Sequence, residues 1–222
     1  MGRTALALAR LLVREGAAPF ISELKGAAAC GEIPAALDGL GVAWECGGHT
    51  ERALAGSALV VPSPGVPPAS PLLQDARAAG ISVTGEMELA WRFTNARILA
   101  VTGTNGKTTT TELVRALIAA CGHTVLLAGN NDTPLSAAVM AEPAPAYIVL
   151  EVSSFQLELA ATFRPWSAAL LNVTPDHLAW HGGMEGYIAA KRRMFAKQTS
   201  GDTAVLNDDD AIAASMDVPP EA

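Results

Sequence analysis

The residues best suited to chemistry form a short glycine-containing loop near the middle of the chain. In order they are Gly103, Thr104, Asn105, Gly106, Lys107, Thr108 and Thr109. Residues 98–101 are apolar and predict a buried strand before the loop, and the residues after it follow helical spacing. Glycines let backbone N–H groups close on phosphate oxygens, and a helix start adds the positive end of its dipole. We therefore predict a triphosphate site in which Lys107 reaches the phosphates and the Thr108 hydroxyl binds Mg²⁺.

The spacing of this loop differs from that of the common phosphate-binding loop. The usual pattern is G-x-x-x-x-G-K-[ST], whereas this chain has the shorter G-x-x-G-K-T. An ordinary glycine turn before a helix is the alternative interpretation. The predicted strand before the loop and the predicted helix after it favour phosphate binding.

A carboxylate and an amide follow two other predicted strands. Glu151 ends the apolar run at residues 147–152, and Asn130 and Asn131 follow the run at residues 124–128. Ligands bind beyond the carboxyl ends of parallel strands, and Mg²⁺ prefers hard oxygen ligands. We predict that Glu151 binds Mg²⁺; the alternative is a strand-end glutamate that caps the next helix or faces solvent. Asn130 or Asn131 is placed either to contact a ligand or simply to form the turn.

The remaining polar candidates lie further along the chain. Asp176 and His177 follow an apolar run at residues 168–173, so they are expected at the same edge of the sheet. Lys191 belongs to a predicted helix over residues 184–197, and spacing alone does not distinguish it from its basic neighbours. The other three histidines are interpreted as structural; they are His49, His123 and His181.

The elements that must position these residues alternate between strand and helix, which predicts an α/β protein. Residues 1–93 predict a Rossmann-like domain that lacks its first strand. Residues 94–222 predict part of a P-loop-type ATPase domain with a mainly parallel sheet, because several strands are apolar throughout. In the helix predicted after the loop, helical spacing favours a core-facing position for Leu113, Leu117 and Cys121 as well as Val114 and Ile118.

Composition narrows the class of protein. The 222 residues carry a net charge of −7, which argues against a general nucleic-acid binder, and half of them are apolar, enough for a large core. No apolar run is long enough to cross a bilayer. Cys30, Cys46 and Cys121 are scattered, without metal-site spacing, which indicates free thiols and a cytoplasmic protein.

Four segments together resemble the Mur ligases, the ATP-dependent amide ligases of peptidoglycan precursor synthesis. They are Val-Thr-Gly-Thr-Asn-Gly-Lys-Thr-Thr at 101–109, Leu-Glu-Val-Ser-Ser-Phe-Gln-Leu-Glu at 150–158, Asn-Val-Thr-Pro-Asp-His-Leu at 172–178 and Tyr-Ile-Ala-Ala-Lys at 187–191. The resemblance runs over nearly the whole chain. Within the family, Ser-Ser-Phe-Gln-Leu-Glu is most similar to the branch that adds D-glutamate to UDP-N-acetylmuramoyl-L-alanine.

The resemblance implies a reaction and roles for matching residues. ATP would phosphorylate a substrate carboxylate, and the amine of the incoming amino acid would displace phosphate from the acyl phosphate. Lys107, His177 and Lys191 would be catalytic, with Lys191 carbamylated. Thr108, Glu151, His177 and Lys191 would serve two Mg²⁺ ions. The implied substrate-binding residues are Thr4, Ser63, Pro64, Gly65, Asn130, Ser153 and His177. The implied protein is a cytoplasmic monomer that neither enters the membrane nor binds nucleic acid.

Some features of the family have no counterpart in these 222 residues. Family members have a strand and glycine turn before the position of Arg3, and a third domain that binds the incoming amino acid. We therefore expect the chain to be part of a longer ligase, and to be weak or inactive alone. The alternatives are another Mur-type ligase or a folylpolyglutamate synthase, a non-catalytic nucleotide-binding chain, and a fragment whose open sheet edges promote aggregation.

Overall fold

The computed structural model describes residues 1–130 and 133–219. The chain divides into two compact units, Met1–Glu86 and Met87–Ala222. Both are α/β, and every strand pairing in the described residues is parallel. The predicted fold class is therefore confirmed.

Within its described residues, the first unit contains two separate pairs of parallel strands rather than one continuous sheet. Strand β1 pairs with β2, and β3 pairs with β4. A small core of Ala9, Leu37 and Val42 lies between the helices and the first pair. The elements are α1 (Arg3–Arg14), β1 (Phe20–Glu23), α2 (Ile33–Gly39), β2 (Ala43–Cys46), β3 (Leu59–Val60), α3 (Pro71–Ala78) and β4 (Ser82–Val83), with short 3-10 turns at Ala27–Ala29 and Glu51–Ala53. The proline-rich segment after β3 forms no helix or strand before α3, as its prolines predict.

The second unit is built on a five-stranded parallel sheet in the order β6-β7-β5-β8-β9. Ile148, Val149 and Leu150 of β7 (Tyr147–Glu151), which lies next to the central strand, are fully buried, as their apolar run predicts. The strands are β5 (Arg97–Thr102), β6 (Val125–Gly129), β7 (Tyr147–Glu151), β8 (Ser167–Leu170) and β9 (Thr203–Leu206). Register places Val101, Gly129 and Glu151 side by side, so β5, β6 and β7 end at one edge.

The helices of the second unit follow or connect these strands. They are α4 (Glu86–Ala90), which spans the boundary between the units, α5 (Lys107–Ala120), α6 (Leu135–Ala138), α7 (Ser154–Glu158), α8 (Leu178–His181), α9 (Met184–Arg192) and α10 (Ala211–Ala214), with a 3-10 turn at Trp91–Phe93. Helix α9 ends five residues before the predicted end at residue 197. No helix within residues 1–130 and 133–219 is long and apolar enough to cross a membrane.

The predicted core face of α5 is wrong for three residues. Leu113 and Leu117 are each 58% exposed, and Cys121 is also exposed. Helix α5 carries two adjacent apolar stripes, and only one of them can face the sheet. The stripe that includes Val114 and Ile118 is partly covered, so the neighbouring stripe points to solvent.

Candidate nucleotide and metal site

The loop between β5 and α5 has the geometry of an anion site. Gly106 precedes α5 with φ +81°, a left-handed conformation that glycine adopts without steric cost. The first N–H groups of a helix have no intrahelical acceptor, and no side chain caps the start of α5. Lys107 Nζ folds back on the loop, donating to the backbone oxygens of Gly103 at 3.0 Å and Thr104 at 2.9 Å. Free donors, a helix dipole and an ammonium group therefore meet at the start of α5, whose third residue is Thr109.

Asn172 holds this loop in shape, a role that sequence reasoning missed. Its Oδ1 accepts from the backbone N–H groups of Thr104 at 3.1 Å and Asn105 at 2.9 Å, and its Nδ2 donates to the Asn105 oxygen at 3.1 Å. The Thr104 hydroxyl also accepts from the Thr174 N–H at 3.0 Å. Two predicted phosphate-binding residues thus have their own N–H groups engaged by Asn172. The available signal was that Asn172 is the first polar residue after an apolar strand.

Glu151 ends β7 and forms hydrogen bonds with Thr108 and Asn130. The Thr108 hydroxyl donates to Glu151 Oε2 at 2.7 Å, and Asn130 Nδ2 donates to Oε1 at 3.0 Å. The carboxylate is buried, and the backbone N–H of Asn130 also donates to the Glu151 backbone oxygen at 2.8 Å. Asn131 lies outside the described residues.

Ser153, not Glu151, caps the helix that follows β7. The Ser153 hydroxyl accepts from the Gln156 N–H at 3.3 Å, and Gln156 Oε1 accepts from the Ser153 N–H at 2.9 Å. This reciprocal pair is a capping box, which fixes the start of α7. The alternative interpretation of Glu151 as the helix cap is therefore wrong, and its carboxylate is directed to Thr108 and Asn130 instead.

The oxygen donors at this edge fit a magnesium ion. A carboxylate and a hydroxyl in contact are hard ligands, and Mg²⁺ is commonly held by one or two carboxylates together with substrate phosphates. Within residues 1–130 and 133–219, no group of three or more His, Cys, Asp and Glu side chains is placed to hold a metal ion. Thr108 and Glu151 therefore suit a cation that takes its other ligands from a nucleotide and water.

Lys191 is buried beneath the phosphate loop. Its side chain is 1% exposed, and Nζ lies 3.5 Å from Thr102 Oγ1 and 4.5 Å from the centre of the Tyr187 ring. Burial, with a further contribution from the charge of Lys107, lowers the pKa of Lys191 to about 7. The Tyr187 hydroxyl lies 3.1 Å from Thr104 Oγ1, so this tyrosine links Lys191 to the loop.

His177 lies beside Phe155, a residue of the first turn of α7. It has φ +52°, a left-handed conformation that is uncommon outside glycine, and its side chain is 48% exposed. Its imidazole contacts the Asp176 carboxylate at 3.4 Å and the Phe155 ring, centre to centre, at 4.7 Å. Neither of these two contacts connects His177 to Glu151 or to Lys191.

The predicted substrate residues of the first unit lie on two segments. Thr4 is the second residue of α1 and is half-buried. Ser63, Pro64 and Gly65 are exposed in the segment between β3 and α3. These four residues belong to Met1–Glu86, whereas the phosphate loop and Glu151 belong to the second unit.

Two family models match the chain. Residues 1–85 match the Mur ligase MurD-like N-terminal domain, and residues 101–219 match the Mur ligase middle domain. The second match alone covers more than half of the chain.

Two relatives with similar sequences bear the same name. The chain is 48% identical over 216 residues to a UDP-N-acetylmuramoylalanine–D-glutamate ligase of Pelotomaculum thermopropionicum, covering 97% of this chain and 47% of that protein. A protein of the same name from Frankia casuarinae is 46% identical, with 97% and 45% covered. The chain thus spans about half the length of these relatives.

Solved structures are similar in fold at low sequence identity. The UDP-N-acetylmuramate:L-alanyl-gamma-D-glutamyl-meso-diaminopimelate ligase of Neisseria meningitides aligns with a TM-score of 0.64 at 15% identity, covering 97% of this chain and 71% of that one. The UDP-N-acetylmuramate-alanine ligase MurC of Thermotoga maritima aligns with a TM-score of 0.56 at 20% identity, with 97% and 49% covered. With its two matched domains and these relatives, the chain belongs to the Mur ligase family.

Proposed function

We propose that this chain supplies the nucleotide-binding part of a ligase that joins D-glutamate to UDP-N-acetylmuramoyl-L-alanine in peptidoglycan precursor synthesis. The observation that carries the proposal is the contact between Thr108 Oγ1 and Glu151 Oε2, 2.7 Å apart beside the glycine loop. Mur ligases are ATP-dependent, magnesium-using enzymes, and the relatives cited above carry the name of this reaction.

The phosphate loop has the groups that ATP requires. The N–H groups at the start of α5 would bind phosphate oxygens. Lys107 would exchange its hydrogen bonds to the loop backbone oxygens for contacts with the β- and γ-phosphates. Thr108 and Glu151 would hold Mg²⁺, which neutralises phosphate charge when bound. Phosphoryl transfer depends mainly on such positioning and charge neutralisation.

The proposed reaction has two steps. A carboxylate oxygen of the UDP-linked substrate attacks the γ-phosphorus, and the bond to ADP breaks, which gives an acyl phosphate. The D-glutamate nitrogen then attacks the acyl carbon, loses a proton and displaces inorganic phosphate. Lys107 would offset the negative charge of the phosphates in the first step. Asn130, Ser153 and His177 would contact the substrate.

We further propose a second Mg²⁺ near His177 and a carbamate on Lys191. Carbamylation requires a neutral amine, whose nitrogen attacks CO₂ and loses a proton. The burial that lowers the pKa of Lys191 to about 7 supports this, because about half of the amine is then neutral at that pH. The resulting anion would add one oxygen-bearing group to the site.

We propose that Thr4 and the Ser63–Pro64–Gly65 segment contact the uridine nucleotide, within a first domain of residues 1–93. Residues 94–222 would form the ATP-binding domain. The ligase would work as a cytoplasmic monomer.

Binding of MgATP to the 222-residue chain tests the core of the proposal. Calorimetry should detect binding by the unmodified chain, and Lys107→Ala should weaken it by about tenfold or more, because a charge-assisted contact is lost. Lys197→Ala removes an exposed lysine of the same unit and should leave the affinity unchanged. Equal affinities for the Lys107→Ala and unmodified chains would contradict the proposed phosphate site.

Ligation needs a separate assay. Phosphate release would be followed with UDP-N-acetylmuramoyl-L-alanine and a panel of amino acids that includes D-glutamate. We expect weak or no turnover from these 222 residues, because they span about half the length of the relatives. Any turnover should depend on D-glutamate, and preference for another amino acid would favour a different Mur-type ligase. The chain can also be combined with the part of a full-length relative that these residues do not cover. If that combination binds MgATP but shows no turnover, a non-catalytic nucleotide-binding protein would be favoured.

A further inference from the structure

Polar contacts join one face of α7 to α8. His181 Nε2 and Ser154 Oγ form a hydrogen bond at 2.9 Å, whereas His181 Nδ1 lies 2.8 Å from Glu158 Oε1 without hydrogen-bond geometry. The other oxygen of Glu158 accepts from Trp180 Nε1 at 2.9 Å. The His181 side chain is fully buried, and Ser154 and Glu158 are one helical turn apart. A single carboxylate therefore contacts two successive residues of α8.

Phe155 lies at the centre of the aromatic side chains that these bonds hold. Its ring is 4.7 Å from that of Trp180 in an edge-on arrangement and 5.6 Å from that of His181 in a stacked one. The imidazole of His177 is the third ring around it, at 4.7 Å. Because pairs of rings at these distances and angles attract one another, Phe155 restricts the orientation of all three.

The backbone around His177 increases the need for such support. His177 comes directly before α8 in a left-handed conformation, which a side-chain-bearing residue adopts at some cost. On the far side, α9 approaches so closely that a Cβ at Gly186 would lie 1.9 Å from the His181 backbone oxygen. Helix α8 therefore contacts both α7 and α9, which limits the movement of His177 at its start.

We propose that Phe155 is a positioning residue that fixes the imidazole of His177, and that Ser154, Glu158, Trp180 and His181 hold Phe155 and α8 for that purpose. The inference deepens the proposed function, on which it rests for the role of His177 as a cation and substrate contact. It also accounts for Ser154, Phe155 and Glu158 of the Ser-Ser-Phe-Gln-Leu-Glu segment, which the proposed site does not use, since they contact α8 or His177.

Nuclear magnetic resonance of the histidine-labelled chain tests the positioning directly, without any cation. The His177 signals, assigned with His177→Gln, should show ring-current shifts and a nuclear Overhauser effect to the Phe155 ring. Phe155→Leu should move them toward the values of an exposed histidine. Phe93→Leu is the matched control, because Phe93 is also half-buried in the second unit, and it should leave the signals in place.

The Overhauser effect is measured on the unmodified chain, so the test stands even if Phe155→Leu fails to fold. Its absence, or unchanged His177 signals in a folded Phe155→Leu chain, would overturn the inference. Phe155→Tyr keeps the ring and should restore the shifts.

A second measurement separates this inference from the proposed function. Mn²⁺ added with ATP should broaden the His177 signals, and Phe155→Leu should require about fivefold more Mn²⁺ for the same effect. No broadening in the unmodified chain would contradict the cation role of His177, while the ring-current shifts would still decide the positioning. Equal broadening in both chains would count against Phe155 as a positioning residue.

Discussion

Gly129 ends β6 directly beside the strand that ends in Glu151. Its φ is +109°, and a Cβ at this position would lie 2.0 Å from the Glu151 backbone oxygen. We expect Gly129→Ala to cost roughly 3 kcal/mol of unfolding free energy, because it combines backbone strain with a backbone clash. It should also weaken MgATP binding, since Glu151 must move to relieve the contact. Urea unfolding and calorimetry measure the two effects.

Gly122→Ala is the matched control for this prediction. Gly122 also has positive φ, at +84°, but nothing lies within 4 Å of the added carbon. The expected cost is about 1 kcal/mol from backbone strain alone, with unchanged MgATP affinity. Similar losses of stability in the two variants would mean that the close approach of Gly129 to β7 has no energetic importance.

For single residues, the sequence predicts the positions of side chains at strand ends better than it predicts which side chains form hydrogen bonds with a loop. The common edge of Glu151 and Asn130 follows from their places at the ends of predicted strands, because carboxyl ends of parallel strands meet, but their hydrogen bond to each other was not predicted. The bracing by Asn172 could not be predicted in this way. It depends on a loop 67 residues earlier in the chain whose backbone donors face that one amide. The catalytic and binding roles of these residues stay predictions.

Among the elements, α4 is joined to the segment before β8 by a buried carboxylate. Glu88 accepts from the backbone N–H groups of Ala161 at 3.0 Å and Phe163 at 2.8 Å, from Thr162 and from Arg92. Burial alone would raise the pKa of Glu88, but these hydrogen bonds, those of Thr162 foremost, lower it below its ordinary value.

We expect Glu88→Gln to lose about 3 kcal/mol of unfolding free energy at pH 7, because the network loses its negative charge and one of the two acceptor oxygens is replaced by an NH2 donor. A lowered folded pKa stabilises the protein above the ordinary value of 4.5, and that stabilisation is lost as the pH falls through the folded pKa. The difference between the two chains should therefore shrink below pH 4.5. Urea unfolding at pH 7 and in the acid range measures it.

Glu112→Gln is the control for the acid titration. Glu112 is exposed on α5 and pairs with Arg115 at 3.4 Å, so its substitution should change stability by less than about 0.5 kcal/mol at any of these pH values. A Glu88→Gln deficit that persists unchanged in acid would show that the charge of Glu88 is unimportant and that shape alone matters.

Helix α5 shows where periodicity fails to predict an element's buried face. Its start and end follow from the glycine loop and the run of helical residues, yet two apolar stripes compete for the sheet and the pattern does not rank them. The structure leaves Leu117 58% exposed, whereas Leu157 on α7 is 0% exposed.

We therefore expect Leu117→Ala to cost less than about 1 kcal/mol, since little apolar surface is lost. Leu157→Ala should cost roughly 3 kcal/mol, because it leaves a cavity. Thermal or urea unfolding of the two variants compares them. A loss for Leu117→Ala as large as that for Leu157→Ala would instead support the core-facing position predicted from helical spacing.

For the whole molecule, the α/β class and the parallel sheet follow from alternating elements and apolar strands. The splitting of the first unit into two strand pairs does not follow from local pattern, because each strand there has only two to four residues and its partner is chosen by packing. The boundary after Glu86 falls within α4, where composition changes little.

The division into two units predicts how a nucleotide should affect the molecule. The proposed ATP and Mg²⁺ contacts lie in Met87–Ala222, so binding should stabilise that unit, by about 2.7 kcal/mol at a ligand concentration of 100 times Kd. Hydrogen–deuterium exchange with MgATP should slow most in peptides covering residues 102–110 and 147–152, and change little in residues 1–86. Lys107→Ala at the same MgATP concentration should show much less protection. Equal protection of residues 1–86, or full protection in the Lys107→Ala chain, would mean that MgATP binds elsewhere than at the glycine loop and Glu151.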